Sequence, residues 1–325
     1  MKRLYPDIGS YASGYLETDE EHSLYYEESG NPAGLPILYL HGGPGAGLSP
    51  NYRRFFDANH YRIVAFEQRG CGRSRPFGSL KNNTTADTLR DIQRLRQHLQ
   101  IDSWVVFGGS WGATLALLSA MDKPEAVKGI ILRGVFLGRE EDRDWFLSPK
   151  GGGATLFPEH YDIFIDGIPP PLSTDVICQW YSQQFDQPDE VRRLSALKRW
   201  YVWEERLSRL ALPPGTGDIT AHYPVSLMTS LAKLECHYLT HHCFVPEDYI
   251  LSNIDKISHI PGTIVHGRYD VICKTEAAYS LHKLWGNSEL QIVPDAGHST
   301  SEPGIGLALC RASRDMNRFL QEKKT

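Results

Sequence analysis

The chain has no marked excess of either charge, no long apolar run and no dense array of cysteines, and each absence removes a class of function. Its 34 basic and 39 acidic residues leave a net charge of −5, which argues against nucleic acid or an anionic membrane as the main partner. No stretch approaches the ~20 apolar residues of a membrane span. At the N-terminus Lys2 and Arg3 are not followed by the apolar segment that a secretory signal needs. The six cysteines, at 71, 178, 236, 243, 273 and 310, lack the regular spacing of a disulfide scaffold. They are expected to be reduced thiols in a cytoplasmic protein. No internal repeat and no low-complexity tail is visible. What remains is a 325-residue chain, 41% hydrophobic and 22% charged, with the balance of a globular protein. That length suits one large core or a core carrying an insertion.

Short apolar runs alternate with helical patterns in the first part of the chain. Ile37–Leu40, Arg62–Phe66, Trp104–Phe107 and Ile130–Leu132 are rich in β-branched and aromatic residues and end at glycine or polar punctuation. Between the second and third, Leu89, Ile92, Leu95 and Leu99 fall at helical spacing over 87–99, with Thr84 or Thr85 as cap. Strand–helix–strand repetition predicts an α/β protein with a parallel sheet covered on both faces. The pattern breaks from about 139 to 245, where a Gly151–Gly153 run, a Pro169–Pro171 tract and helical stretches at 179–185 and 195–210 replace it. After Pro246 it returns with strands at Thr263–His266 and Leu290–Val293, a helix at 276–284 and a last helix over 307–321. One α/β core, formed by 1–138 and 246–325 and split by a helical insertion at 139–245, is the economical account.

Gly108-Gly109-Ser110-Trp111-Gly112 fits G-x-S-x-G, with a hydrophobic strand running in and a helix-forming Ala113–Leu118 running out. That context is what a nucleophile elbow requires. It sets Ser110 on a sharp turn above the sheet, with the Trp111 amide at a helix N-terminus facing a developing oxyanion. His41-Gly42-Gly43-Pro44-Gly45 follows a strand end, and the Gly43 amide is the expected second oxyanion donor. A phosphate cradle would need a Lys-Ser/Thr pair after the glycines, and Leu48-Ser49-Pro50 does not provide it.

Hydrolases built on this elbow carry Ser, then Asp or Glu, then His along the chain. Asp270 follows the strand at 263–266 and His298 follows the strand at 290–293. Their expected roles are orienter and general base for Ser110. Asp295 is the rival to Asp270, although it also suits a turn.

These segments resemble the proline iminopeptidases of the α/β-hydrolase superfamily along nearly the whole chain. The likeness rests on His41–Gly45, Gln68-Arg69-Gly70-Cys71-Gly72-Arg73-Ser74, Gly108–Gly112, Gly267–Val271 and Val293–Ser299. It implies the α/β-hydrolase fold with a mostly helical cap, no cofactor, and peptides beginning with proline as substrates. It further implies that Glu204, in Val202-Trp203-Glu204, and Glu235, in Leu234-Glu235-Cys236, hold the substrate's secondary ammonium. Carboxylates in a desolvated pocket suit such a cation, and Trp203, Tyr238 and Phe136 are candidates for the ring slot. Glu67 stands where the family usually has Asp, and Lys274 where a proline is common.

Cys236, His237, His241, His242 and Cys243 contain metal-ligand types, but they form one segment, where structural zinc sites usually draw on two; no metal is expected. A thiol at Cys273, three residues past Asp270, is placed to make the site sensitive to thiol reagents without serving as nucleophile. Two rival readings remain. One is an esterase or amidase for small acyl groups, and the other is a silent binding protein on the same scaffold. An epoxide hydrolase would carry Asp where Ser110 stands.

Overall fold

A computed structural model of the chain describes residues 4–18, 21–211 and 218–323. Lys2 and Arg3 lie outside the described residues. Eight strands form one sheet: β1 (Ser10–Glu17), β2 (Ser23–Gly30), β3 (Leu35–Leu40), β4 (Tyr61–Phe66), β5 (Trp104–Ser110), β6 (Val127–Val135), β7 (Gly262–Gly267) and β8 (Ser288–Val293). Their order is β1-β2-β4-β3-β5-β6-β7-β8. From β4 to β8 all neighbours are parallel, whereas β1 and β2 are antiparallel. All six expected strands are present. The antiparallel pair was not anticipated, because β1 is a largely exposed edge strand with no buried apolar run to announce it.

The strands alternate their side chains between two apolar layers, as a period of two requires. Leu38, Val64, Val106, Leu132 and Ile264 point into one layer. Ile37, Ile63, Val105, Ile131 and Val265 point into the other. Helices α1 (Thr85–His98) and α2 (Trp111–Asp122) follow β4 and β5. Thr84 caps α1 through a reciprocal capping box with Asp87, which satisfies backbone donors at the helix start.

Between β6 and β7 the described residues contain helices and no strand. These are α3 (Glu140–Leu147), α4 (Gly152–Leu156), α5 (Pro158–Ile165), α6 (Thr174–Phe185), α7 (Glu190–Ser208), α8 (Val225–Thr240) and the short α9 (Tyr249–Ser252). Their interior is aromatic: Phe164 stacks on Tyr181 and Trp203 at 5.0 Å. Helix α10 (Thr275–Leu284) joins β7 to β8, and α11 (Pro303–Glu322) ends the described chain. Among the described residues no helix is long and apolar enough to cross a membrane.

Candidate active site

The elbow depends on glycine at two points of close approach. A Cβ on Gly112 would stand 2.1 Å from the Leu40 carbonyl oxygen, and one on Gly108 would stand 2.0 Å from the Gly112 carbonyl oxygen. No side chain fits there, so β3, β5 and the start of α2 can come together only with glycine in place. Between them Ser110 has φ 57 and ψ −124, a conformation an L-residue holds only under tertiary constraint. The turn after β3 lies against it: a Cβ on Gly42 would be 3.2 Å from that of Ser110. Gly43 has φ +103, which favours glycine.

This turn is braced from behind. Gln68 Nε2 donates to the His41 carbonyl at 2.9 Å, and Gln68 Oε1 accepts from the Trp111 indole at 3.1 Å. One side chain thus ties the turn to the elbow. Glu67 accepts from the amides of Leu48 and Arg73, so the longer acid at this position is fully engaged.

Asp270 and His298 meet at 2.7 Å, Oδ2 to Nδ1. Asp270 Oδ1 also accepts from the amides of Ile272 (3.0 Å) and Cys273 (2.8 Å). Burial pushes the Asp270 carboxyl up, but His298, His266 and these amides outweigh it and hold it below its ordinary value. Asp295 is exposed and is not a partner of His298. The amides of His298 and Ser299 both donate to the Ser208 carbonyl at the end of α7, at 2.9 and 2.7 Å.

The expected Ser110–His298 hydrogen bond is not formed among the described residues. Arg133, at the end of β6, occupies the position: its Nη1 lies 2.7 Å from His298 Nε2 and 3.2 Å from the His298 carbonyl. An arginine can only donate, so His298 is neutral, with the proton on Nδ1 facing Asp270. Burial and the Arg133 charge lower the His298 pKa, against the pull of Asp270. The Ser110 hydroxyl faces the Cys273 thiol, whose pKa burial and Asp270 raise well above the ordinary value. Arg133 was missed in the sequence; its one sign there is a charge directly following the apolar run Ile130–Leu132.

Ser110, Gly43, Trp111, Phe136, Phe146, Glu235, Tyr238 and Cys273 line one chamber, whose free volume is about 20 Å³. That is room for little more than a water molecule. Glu235 is buried on α8 and accepts from the Trp200 indole at 2.6 Å. Burial pushes its pKa up to about 8. Glu204, on α7, is raised well above its ordinary value by burial, by Glu235 and by Glu205, with Arg133 acting in the opposite sense. Its Oε2 is buried without a hydrogen-bond partner. The two candidate carboxylates are therefore brought together. Trp203 packs within the aromatic interior of the insertion and is not in the chamber lining.

The His- and Cys-rich stretch has local roles. His237 bonds to the Asn83 carbonyl, Cys236 donates to the Cys178 carbonyl, and His241 stacks on Phe244. Among the described residues one group of three metal-capable side chains converges, Asp270, Cys273 and His298. Two of these are already bonded to each other.

Comparison with known proteins agrees with this geometry. Residues 36–160 match the alpha/beta hydrolase fold family. The chain is 44% identical to a probable proline iminopeptidase of Leptolyngbya boryana, over 99% of this chain and 98% of that one. It is 42% identical to the proline iminopeptidase of Arabidopsis thaliana, over 98% and 83%. Among solved structures, a proline iminopeptidase of Mycobacterium smegmatis superposes with a TM-score of 0.61 at 17% identity, over 95% of this chain and 99% of that one. An esterase of Exiguobacterium antarcticum gives 0.61 at 18%, over 97% and 100%. Identities this low speak for the fold alone, but the sequence relatives go further. With an α/β-hydrolase fold and relatives above 40% identity along nearly its whole length, the chain belongs to the proline iminopeptidase family.

Proposed function

We propose that the protein is a serine aminopeptidase that releases proline from the N-terminus of peptides, and that residues 139–245 act as a cap over its site. The observation that carries this reading is that Ser110 and Glu235 line the same buried chamber. A nucleophile for acyl transfer and a carboxylate for a cation thus face one small ligand. A secondary ammonium would sit between Glu204 and Glu235, supplying the partner that Glu204 Oε2 lacks, while the pyrrolidine ring packs against Phe136, Phe146 and Tyr238.

In this reading Ser110 Oγ attacks the prolyl carbonyl and its proton passes to His298 Nε2. Asp270 fixes the tautomer and stabilises the imidazolium, and the amides of Gly43 and Trp111 receive the oxyanion. His298 then protonates the leaving amine, and water resolves the acyl-enzyme by the same route. Arg133 must first give up Nε2, which cannot accept from both groups. Once His298 is charged, the nearby guanidinium favours onward transfer of its proton to the leaving group. No step calls for a cofactor, and the six free, buried cysteines suit a reducing, cytoplasmic setting.

The test compares a proline aryl-amide with its N-blocked counterpart, in wild type and in Glu204→Gln. The free substrate should be cleaved far faster. Glu204→Gln should lose about a hundredfold or more in kcat/KM, in line with the ~3–5 kcal/mol of a buried ion pair that loses one partner. Equal rates on the two substrates would sink the reading.

A further inference from the structure

We infer that the cleft on the far side of the His298 loop is the subsite for the leaving peptide, and that it recognises the peptide main chain. This inference rests on the aminopeptidase reading and deepens it.

The cleft has a volume of about 590 Å³, within the ~300–1,000 Å³ usual for ligand pockets. It does not belong to the acyl chamber, with which it shares no lining residue. Yet three of its wall residues tie it to the catalytic centre. Ser299, in its wall, directly follows His298. Ser49, also in its wall, has its hydroxyl against the Tyr39 phenol, which lies in the field of Arg133, and Arg133 is bonded to His298. Arg209 brings in the insertion: a Cβ on Gly297 would be 3.3 Å from the Arg209 carbonyl carbon.

Reaction geometry then orders the substrate. The ammonium is held by the Glu pair and the ring fills the chamber, so both lie on the acyl side of Ser110. The scissile nitrogen must meet His298 Nε2 to be protonated as it leaves. The chain beyond that nitrogen has to pass the His298 loop, and the 590 Å³ cleft is the space there.

The walls indicate what is read. Ser49, Asn51, Ser299, Thr300 and Ser301 offer hydroxyl and amide groups that can both donate and accept, as a peptide main chain of any sequence requires. The charges at the cleft are partly engaged. Arg209 pairs with Glu205 at 3.5 Å and donates to the Tyr223 hydroxyl at 3.2 Å. Glu302 Oε1 accepts from the Leu210 amide at 2.7 Å. Arg209 Nε is buried without a hydrogen-bond partner, a donor that a substrate main-chain carbonyl can meet.

The experiment measures kcat/KM for prolinamide, Pro-Gly-amide and Pro-Gly-Gly-Gly-amide, all without a C-terminal charge, in wild type, Asn51→Trp and Ser301→Trp. Both positions are exposed, and the added indole fills the cleft. Wild type should favour the tetrapeptide amide over prolinamide by about tenfold or more, equivalent to about one or two net hydrogen bonds. Each tryptophan variant should bring that ratio towards one, with its melting temperature reporting that it is folded. A wild-type ratio near one would overturn the inference, as would a ratio left unchanged in both folded variants. A tetrapeptide acid cleaved much faster than its amide would overturn main-chain recognition in favour of a carboxylate site. Failure of the wild type on every proline substrate, aryl-amide included, would instead remove the aminopeptidase reading itself.

Discussion

Two carboxyls close together in a largely buried setting carry an electrostatic cost that either a proton or a cation relieves. Glu235 titrates at about 8 and Glu204 above its ordinary range, both chiefly because burial disfavours the charged form. For a carboxyl raised in the folded state, the stability contribution is complete below the unfolded value, near 4.5, and is lost as pH rises through the folded value. Glu204→Gln should therefore melt higher than wild type at pH 8, with the difference vanishing towards pH 4; a scan of melting temperature against pH measures it. A variant that loses activity and gains stability separates a binding charge from a structural one. At the other end of the site, Arg133 lies on His298 Nε2, the nitrogen that accepts the serine proton in the proposed mechanism. Its charge lowers the His298 pKa, so Arg133→Gln should move the acid limb of the kcat/KM profile to higher pH. An unmoved limb would show that burial alone sets that pKa.

At the scale of elements, the elbow is held by backbone contacts that tolerate no side chain. Gly112→Ala drives a methyl group to 2.1 Å from the Leu40 carbonyl. The strain should cost at least the ~1–3 kcal/mol of ordinary overpacking. Because β3 leads directly into the Gly43 turn, kcat should fall more than KM rises. By contrast Thr84→Ala removes the α1 capping box and should cost about 1 kcal/mol of stability, leaving kcat/KM unchanged. Denaturant melts and steady-state kinetics on the same two variants check both statements. Helix α7 links the halves of the site. It carries Glu204 along its length and, through the Ser208 carbonyl at its end, receives the amides of His298 and Ser299.

At the scale of the whole molecule, the inserted helices and the sheet share one apolar interior. Phe146, Trp200 and Trp203 belong to the same buried cluster as Leu38, Val106, Trp111 and Ile264. Trp145, Trp180, Trp200 and Trp203 report on the insertion, and Trp104, Trp111 and Trp285 on the core. Unfolding should be a single transition, with tryptophan fluorescence and far-ultraviolet circular dichroism coincident. Two separated transitions would mean that the insertion is a unit of its own.

Much of this was legible in the residues because it is local. The strand, turn and helix around Ser110 are consecutive in the chain, and glycines at 108 and 112 mark the places where backbones crowd. Strands β3 to β8 announce themselves by short β-branched runs, and the helices between β6 and β7 by the loss of that rhythm. The exposed edge strand β1 has no such run, which is why it went unread. Position in the chain already favoured Asp270 over Asp295, and the fold puts Asp270, not Asp295, within hydrogen-bond reach of His298. Only the tertiary structure brought Arg133 onto His298 Nε2, across 165 positions of sequence, and set Glu204 beside Glu235 from two separate helices. Sequence by itself determined the parallel strands of the sheet and the elbow, because hydrophobic period and backbone crowding act between neighbours. Charge placement was decided by the fold, because burial and Coulomb interactions depend on distance in space.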